Sequence, residues 1–250
     1  IRTADSAGTI IMEGLPINAL YGWKTNGFFQ NYDEIQNAAL PTGIDRSQLR
    51  PGDVRYVDLN SDGKIDENDR TYLGYAFPRY TYGFTYNVKW KGIDFSIMLQ
   101  GVLKRENPVR GELVQPFHAD YSMTMFDHQL DYWSPQNRDA RWPRLGVSGS
   151  VSDTNNWGHT GSDMMLLEGA YMRIKNIQLG YTLPKKWTKK FGCEALRIYF
   201  DTQNPLTWTK NGFVDPETTS FGNNMSGGAD NSVRNYPTLR YFGGGIDLTF

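Results

Sequence analysis

Residues 80–100 read YTYGFTYNVKWKGIDFSIMLQ, and this stretch decides the fold class. Aromatic and aliphatic side chains occupy every second position from Tyr80 to Trp90, with polar or small residues between them. After Lys91-Gly92 the alternation resumes. A period of two is typical of a β-strand with one apolar face, and a two-residue break containing glycine is typical of a tight turn. The stretch therefore predicts an antiparallel hairpin.

Four other segments indicate strands of the same kind. Residues 196–201 and 242–250 alternate cleanly between apolar and polar side chains. Residues 9–13 and 17–29 do so less regularly, on either side of a turn. Together with the hairpin and residues 171–182, they predict about seven strands.

Segment 171–182 changes its phase near Asn176. Met172 and Ile174 are apolar at even positions, whereas Ile177 and Leu179 are apolar at odd positions. A β-bulge inserts one extra residue and would produce this shift. A strand that leaves the membrane and then lines a lumen would produce it too, and the sequence leaves both explanations open.

The connections between the predicted strands alternate between long and short. The long ones are residues 30–79, 102–170 and 205–240, and the short ones are Lys91-Gly92 and residues 184–192. Outer-membrane barrels have long extracellular loops and short periplasmic turns. We therefore expect the long connections to face the outside and the short ones to face the periplasm.

The number of strands is too small for a closed barrel, which has at least eight strands, whereas large transporters have about 22. The sequence thus predicts an all-β fold in which residues 1–250 form the C-terminal strands of a larger antiparallel transmembrane β-barrel of about 22 strands. The chain starts at Ile1 without a basic segment followed by an apolar one, so we expect that any export signal lies upstream or has been removed. A soluble antiparallel β-protein shows the same alternation and remains an alternative.

The composition excludes several classes of protein. Lys and Arg number 26 against 27 Asp and Glu, which argues against a nucleic-acid partner. One cysteine, Cys193, excludes an internal disulfide, and the three scattered histidines form no zinc motif. No apolar run reaches the roughly 18 residues that a membrane-spanning helix requires. Aromatic residues nevertheless make up 14% of a chain whose mean hydropathy is −0.57, and a transmembrane barrel accommodates this combination.

Residues 58–69 read DLNSDGKIDEND and form the strongest local motif. A calcium loop of the EF-hand type has oxygen ligands at positions 1, 3, 5, 7, 9 and 12 and glycine at position 6, where Gly63 stands. Glutamate is usual at position 12, and the shorter Asp69 resembles dockerin-type loops. The predicted calcium ligands are Asp58, Asn60, Asp62, the carbonyl of Lys64, Asp66 and Asp69.

The flanking residues of this motif read as extended chain, which predicts a structural calcium clip rather than a sensor with opening helices. The carboxylates would repel one another without a cation between them. An Asp- and Asn-rich turn that merely resembles the pattern is the alternative.

No motif points to catalysis. A glycosidase needs two carboxyl groups facing each other across a sugar, and the spacing of Asp120, Asp127, Asp131 and Glu168 does not indicate such a pair. The chain has no nucleophile elbow and no phosphate-binding glycine loop. His118 and His128 are expected to make polar contacts in a loop. We therefore predict that the protein is not an enzyme.

Aromatic side chains fall into two groups. Trp90, Tyr80 and Phe250 lie near predicted strand ends, where outer-membrane barrels carry a girdle of interfacial aromatic residues. Loop aromatics could instead stack on sugar rings, contact a partner or pack within a folded loop. The loop candidates are Trp133, Trp142 and Trp157, together with Phe117 and Tyr121.

Five ordered blocks of sequence carry a family resemblance over nearly the whole chain. They are PGDVRYVD (51–58) with DRT (69–71) and PRYTYG (78–83), YWSPQN (132–137) with WPRL (142–145), EGAYMRIKNIQLGY (168–181), QNPLTW (203–208), and YP (236–237) with GIDLTF (245–250). In these blocks the chain resembles the C-terminal quarter of SusC/RagA-type TonB-dependent outer-membrane transporters of Bacteroidetes. Ala170 and Ser134 are minor departures, where serine and threonine are common.

The resemblance implies active import of oligosaccharides or peptides across the bacterial outer membrane. It implies a 22-stranded barrel with a plug, energised through TonB, a SusD-like surface lipoprotein that acts as a lid, and a dimeric complex as one expected assembly. The plug and the TonB-contacting segment lie outside these 250 residues, so no energy-coupling residue is carried over. A secreted calcium-stabilised glycan-binding β-module and a secreted glycoside-acting enzyme remain the alternatives.

Overall fold

A computed structural model describes residues 2–5, 9–109, 111–117, 124–158, 161–217 and 236–250. The chain divides into two compact units. The loop unit comprises Ile1–Phe77, Glu106–Leu167 and Thr219–Tyr236, and the sheet unit comprises Pro78–Arg105, Glu168–Thr218 and Pro237–Phe250.

Short strands dominate the loop unit and long strands the sheet unit. The strands are β1 (Arg2–Asp5), β2 (Thr9–Met12), β3 (Ala19–Trp23), β4 (Thr25–Phe28), β5 (Leu40–Pro41), β6 (Val54–Tyr56), β7 (Lys64–Ile65), β8 (Arg70–Tyr75), β9 (Thr81–Trp90), β10 (Ile93–Val102), β11 (Glu106–Pro108), β12 (Leu166–Glu168), β13 (Tyr171–Thr182), β14 (Ala195–Thr209) and β15 (Tyr241–Thr249). The α-helices are α1 (Tyr32–Asn37), α2 (Val151–Trp157) and α3 (Lys185–Thr188), and 3₁₀ turns cover Arg46–Gln48, Glu67–Asp69, Gly111–Leu113, Asp127–Leu130, Asp163–Met165 and Lys189–Phe191. In the described residues, no helix combines the length and the apolar character needed to cross a membrane.

The sheet unit is built on a five-stranded antiparallel sheet with the order β15-β14-β13-β10-β9. Trp90 pairs with Ile93, and the two residues between them have positive φ angles, 47° for Lys91 and 89° for Gly92. This is the predicted tight hairpin. The prediction of a mostly β-strand fold with antiparallel sheets is confirmed. The described strands form no closed barrel, because β9 and β15 each pair on one side only.

A bulge explains the change of phase in β13. Met98 pairs with Asn176 and Leu99 pairs with Ile174, so Lys175 is an extra residue in the register with β10. Because one extra residue shifts the alternation by one position, the apolar side chains on both sides of Lys175 lie on the same face. Of the two explanations for the slip, the bulge is confirmed.

The neighbouring strand β14 is longer than the sequence suggests. The third long connection was predicted to begin at residue 205, but β14 continues to Thr209. Asn204 has φ 51° and precedes Pro205, and the register with β13 shifts at this point. The strand thus absorbs an Asn-Pro pair, which usually marks a turn, in an irregularity beside the β13 bulge.

The two N-terminal segments predicted as barrel strands lie in the loop unit instead. β2 and β3 belong to a four-stranded sheet with the order β1-β2-β3-β8. The predicted strand 17–29 is divided at Lys24, because β3 pairs with β8 whereas β4 pairs with β6. The prediction that these segments are strands of the same sheet as the β9–β10 hairpin was therefore wrong. Alternation identifies a strand locally but does not identify its partner.

Two apolar clusters are found among the described residues of the loop unit. One contains Val54, Tyr56, Ile65 and Met164, with Trp23, Phe28, Ala39 and Trp157 packed against it. The other contains Phe29, Ile35 and Leu49, with Ala38, Leu40, Ile44 and Val151 against it. The helices α1 and α2 each begin at a side-chain cap: Asn31 accepts a hydrogen bond from the backbone of Glu34, and Ser150 accepts one from the backbone of Asp153.

A buried carboxylate joins the distant segments of the loop unit. Asp53 is fully buried. It accepts hydrogen bonds from the backbone N–H of Arg50 at 2.8 Å, the Ser152 hydroxyl at 2.7 Å and the Asn156 amide at 3.1 Å. A guanidinium nitrogen of Arg144 lies 3.6 Å away. Since a buried charge needs such partners, Asp53 fixes where α2 packs.

A second buried contact attaches α2 to β6. The Tyr56 hydroxyl donates to the carbonyl of Asn155 at 2.9 Å, and the Asn155 amide donates to the carbonyl of Val54 at 2.9 Å. Burial, with the nearby Asp163 carboxylate, raises the pKa of Tyr56. The hydroxyl therefore stays protonated and keeps donating.

Candidate functional site

One face of the five-stranded sheet is apolar from edge to edge. Trp90 on β9 lies beside Ile93, and Ile93 lies beside Tyr181. The row continues through Ile198 to Ile246 on β15. Trp90 is 63% exposed and Ile246 is 64% exposed. Soluble proteins rarely expose a continuous apolar patch of more than a few hundred Å². This face therefore requires an apolar environment.

The same face extends along each strand, because the registers keep apolar side chains opposite one another on both sides of the bulge. We call it the apolar face. Its further members are Phe84, Tyr86 and Val88 on β9, Phe95, Ile97 and Leu99 on β10, Met172, Ile174, Ile177 and Leu179 on β13, Phe200, Leu206 and Trp208 on β14, and Phe242 and Leu248 on β15.

The three predicted interface residues belong to the sheet unit. Tyr80 immediately precedes β9 and is 59% exposed, whereas Trp90 ends that strand. The Lys91 ammonium lies 4.8 Å from the centre of the Trp90 ring. Phe250 follows β15 and is 84% exposed. Their role at a membrane interface and in barrel assembly stays a prediction.

The opposite, polar face carries an ionic bridge across four strands. Arg197 on β14 donates to Asp247 on β15 at 2.9 Å. It also donates to both carboxylate oxygens of Asp94 on β10, at 2.9 and 2.6 Å. To reach Asp94, the guanidinium crosses β13 at Gly180, where a Cβ atom would lie 2.6 Å from both the Arg197 and the Asp94 side chains. A Cβ atom at this position would therefore have to displace one of these two side-chain ends from the bridge.

The predicted calcium loop is closed by its own carboxylates. Asp58 accepts hydrogen bonds from the backbone N–H groups of Ser61 at 2.7 Å and Gly63 at 2.8 Å. Asp62 accepts one from Lys64 at 2.9 Å. Gly63 has φ 84°, a conformation that glycine adopts without strain. The turn thus has the glycine-dependent geometry that the motif predicts.

Asp69, at the twelfth position, is fully buried. Its carboxylate accepts hydrogen bonds from the backbone of Leu59 and of Asp66, both at 2.8 Å. Asp66 in turn caps the 3₁₀ turn by accepting from Asn68 at 2.7 Å. Asp69 therefore joins the two ends of the loop through backbone contacts.

Calcium binding stays a prediction. In the described part of the chain, no three His, Cys, Asp or Glu side chains converge to hold a metal. Backbone N–H groups already relieve part of the repulsion between the loop carboxylates. A carboxylate oxygen that accepts one hydrogen bond keeps a further lone pair, so the oxygen atoms of the loop still suit a hard cation.

The three loop tryptophans pack inside the loop unit. Trp142 is 2% exposed and donates to the carbonyl of His128 at 2.9 Å, and Trp133 is 7% exposed and donates to the Gln30 amide oxygen at 3.3 Å. The rings of Trp142 and Trp157 lie 6.5 Å apart. These contacts favour the packing interpretation, and contact with a ligand or partner stays a prediction.

The remaining candidates are dispersed. Asp131 accepts hydrogen bonds from the Asn137 amide at 2.9 Å and the backbone of Arg141 at 3.2 Å, and Glu168 pairs with Lys210 at 2.8 Å. His128 contacts the carbonyl of Leu113 at 2.6 Å. Phe117 is 40% exposed. His118, Asp120, Tyr121 and His159 lie outside the described residues.

Sequence reasoning missed the residues that join distant segments. Asp53 and Ser152 are 99 positions apart, and Arg197 and Asp94 are 103 positions apart. No local pattern links such pairs. The available signal was a glycine within an otherwise regular strand, as at Gly180.

Comparison with known proteins identifies relatives over nearly the whole chain. The chain is 27% identical over 247 residues to TonB-dependent receptor P3 of Formosa agariphila, covering 96% of this chain and 23% of that protein. It is also 27% identical over 233 residues to TonB-dependent receptor SusC of Bacteroides thetaiotaomicron, covering 92% of this chain and 20% of that protein. The resemblance to SusC/RagA-type TonB-dependent transporters is confirmed.

Solved structures agree on the fold. A structure of the RagAB peptide transporter matches 99% of this chain and 24% of its own, with a TM-score of 0.66 and 21% identity. The RagAB peptide importer in its open-open state matches with a TM-score of 0.64 and 20% identity. No family model matches the chain. The chain spans about a quarter of the length of these relatives of the SusC/RagA type.

Proposed function

We propose that this chain is the C-terminal part of a SusC-like, TonB-dependent transporter that actively imports oligosaccharides or peptides across the bacterial outer membrane. The observation that carries the proposal is the exposed apolar face of the five-stranded sheet. Lipid is the environment in which that face is stable, and the polar face would line the lumen. The relatives are named receptors and transporters, which supports transport rather than catalysis.

The dimensions of the strands support this location. A tilted strand needs about 9–11 residues to cross the bilayer core. The five strands have lengths of 10, 10, 12, 15 and 9 residues. The free edges of β9 and β15 are where the remaining strands of the barrel would pair.

The partners follow from the same family. We propose that the rest of the longer protein supplies the plug and the TonB contact, and that a SusD-like surface lipoprotein covers the outer mouth, with a dimeric complex as the assembly. Peptides are one candidate substrate class because RagAB is a peptide transporter. Oligosaccharides are the other, from the resemblance to the SusC type.

The test is the native state of the protein that contains this chain. Outer membranes are extracted with detergent, separated on a gel with and without boiling, and the co-migrating proteins are sequenced. We expect a heat-modifiable species far larger than the 28.5 kDa of this chain, accompanied by a lipoprotein. A water-extractable monomer near 28.5 kDa would contradict the proposal and favour the secreted calcium-stabilised glycan-binding module.

We also propose that residues 58–69 bind calcium as a structural clip, with Asp58, Asn60, Asp62 and the Lys64 carbonyl at the turn and Asp66 and Asp69 at its closing end. The support is the Gly63 turn and the order of oxygen-bearing residues along the loop. When bound, calcium would offset the repulsion among the carboxylates.

Terbium luminescence tests the calcium proposal, because Trp23 donates a hydrogen bond to the carbonyl of Asp66 at 2.8 Å and lies close enough to sensitise a bound lanthanide. We expect emission that calcium displaces and that Asp58→Asn combined with Asp62→Asn abolishes. Asp33→Asn, an exposed change elsewhere in the loop unit, is the matched control. Equal emission from all three proteins would refute binding at this loop.

A further inference from the structure

Buried charges fasten the described ends of the connection between β14 and β15 to the sheet. Arg173 on β13 is 4% exposed and donates from Nε to the Thr207 hydroxyl at 2.8 Å. Its Nη2 donates to Asp215 at 2.6 Å, and its Nη1 donates to Glu217. The planar guanidinium thus holds a strand residue and two carboxylates of the connection at once.

A second cation reinforces this contact at the bulge. Lys175, the extra residue of β13, donates to both carboxylate oxygens of Glu217, at 2.9 and 3.1 Å. Arg105, which follows β10, donates to the carbonyl of Pro216 at 3.2 Å. Three cations from two neighbouring parts of the sheet unit therefore hold residues 215–217.

The returning end of the connection is attached at the same place. Asp215 accepts a hydrogen bond from the backbone N–H of Thr238 at 2.8 Å and one from that of Glu217 at 3.0 Å. The Asn204 amide, at the irregularity in β14, donates to the carbonyl of Leu239 at 3.0 Å. The two ends are thus joined to each other through Asp215 and to the sheet through its irregular residues.

We propose that Arg173, Lys175, Asp215 and Glu217 form an ionic clasp that makes the base of this connection a fixed rim, with Arg173 as its positioning residue. The clasp lies at the end of β13 away from the Lys91-Gly92 turn. Its place at the outer mouth of a lumen rests on the proposed function. The fixed base itself does not, because it follows from contacts within the sheet unit.

Amide hydrogen exchange on the full-length protein in detergent tests the clasp. The backbone amides of Glu217 and Thr238 both donate to Asp215, so they report on it directly. In Arg173→Met we expect the protection of both amides to fall about 100-fold, because the Asp215 side chain, which is 6% exposed, loses the cation that compensates its charge. Arg173→Lys keeps the positive charge but loses the planar guanidinium that reaches three acceptors. Its amides should therefore be more protected than those of Arg173→Met and less protected than those of the unmodified protein.

The matched control is Lys210→Met, which removes a lysine from an exposed pair with Glu168 just after β14. It should leave both amides as protected as in the unmodified protein. Unchanged protection in Arg173→Met would overturn the clasp, and so would an equal loss throughout β13 and β14. If Arg173→Met does not fold, Asp215→Asn gives the same test, because it removes the carboxylate charge that both amides and Arg173 contact. A soluble native species would contradict the transporter and leave this result intact.

Discussion

The two units of the molecule differ in how far their large apolar side chains are exposed. In the loop unit, Phe29 is 1% exposed, Ile35 is fully buried and Trp142 is 2% exposed. In the sheet unit, Phe84 is 55% exposed and Trp90 is 63% exposed. The loop unit is organised as water requires, with these apolar side chains packed in a core. The sheet unit instead leaves large apolar side chains exposed on one face, and this contrast within one chain is what the proposed function explains.

The largest effect should come from removing the buried Asp53 carboxylate from the loop unit. Asp53→Ala leaves the Arg144 charge and the Ser152 and Asn156 donors around an empty buried site. We expect a loss of about 3–5 kcal/mol in the stability of this unit. Hydrogen exchange should show faster exchange in residues 50–56 and 151–157, with β9 and β10 unchanged.

Asp33→Ala, at an exposed position in the first turn of α1, is the control and should have little effect. If Asp53→Ala also released the amides of β9 and β10, the two units would be one cooperative structure. The two units would then differ only in the exposure of their apolar side chains and not in their stability.

The next effect sharpens the distinction between the two faces of the sheet. Phe84→Arg places a charge on the apolar face, which costs about 2–4 kcal/mol at the middle of a bilayer. Thr85→Arg, one residue further along β9, places the same charge on the polar face and should be tolerated. The measurement is the fraction of folded, heat-modifiable protein in outer membranes. Equal losses in both variants would contradict the assignment of the faces.

A smaller effect is expected at the crossing of β13 by Arg197. Gly180→Ala places a Cβ atom 2.6 Å from the Arg197 and Asp94 side chains and should cost about 1–3 kcal/mol. Gly83→Ala is the matched control, because its Cβ would meet only the Leu99 carbonyl at 3.9 Å. The readout is the temperature at which the folded band disappears on a gel.

A double-mutant cycle separates steric crowding from loss of the ionic bridge. In an Arg197→Met background, the Asp94 bridge is already absent, so adding Gly180→Ala should cost little more. If the two costs were simply additive, Gly180 would act independently of the bridge.

What the sequence could predict follows the range of the interactions. The hairpin of β9 and β10 was predictable because alternation and a two-residue turn are local signals. In the sequence the bulge at Lys175 was visible only as a change of phase with two possible explanations. The pairing of Met98 with Asn176 and of Leu99 with Ile174 decided between them. Asp53 and Arg197 could not be assigned roles, because Asp53 contacts Ser152 at a separation of 99 positions and Arg197 contacts Asp94 at a separation of 103.

The smallest expected effect concerns the pH dependence of the clasp. Burial raises the pKa of Asp215, but hydrogen bonds from the Glu217 backbone, Arg173 and Thr238 lower it more, so the net pKa lies below its ordinary value. A carboxyl whose folded pKa is depressed stabilises the fold fully above its unfolded pKa and loses this contribution as the pH falls through the folded value. The melting-temperature difference between the unmodified protein and Asp215→Asn should therefore stay constant from pH 8 to about pH 5. It should shrink only in stronger acid, whereas a difference that already declined near neutral pH would show that the clasp does not hold Asp215 ionised.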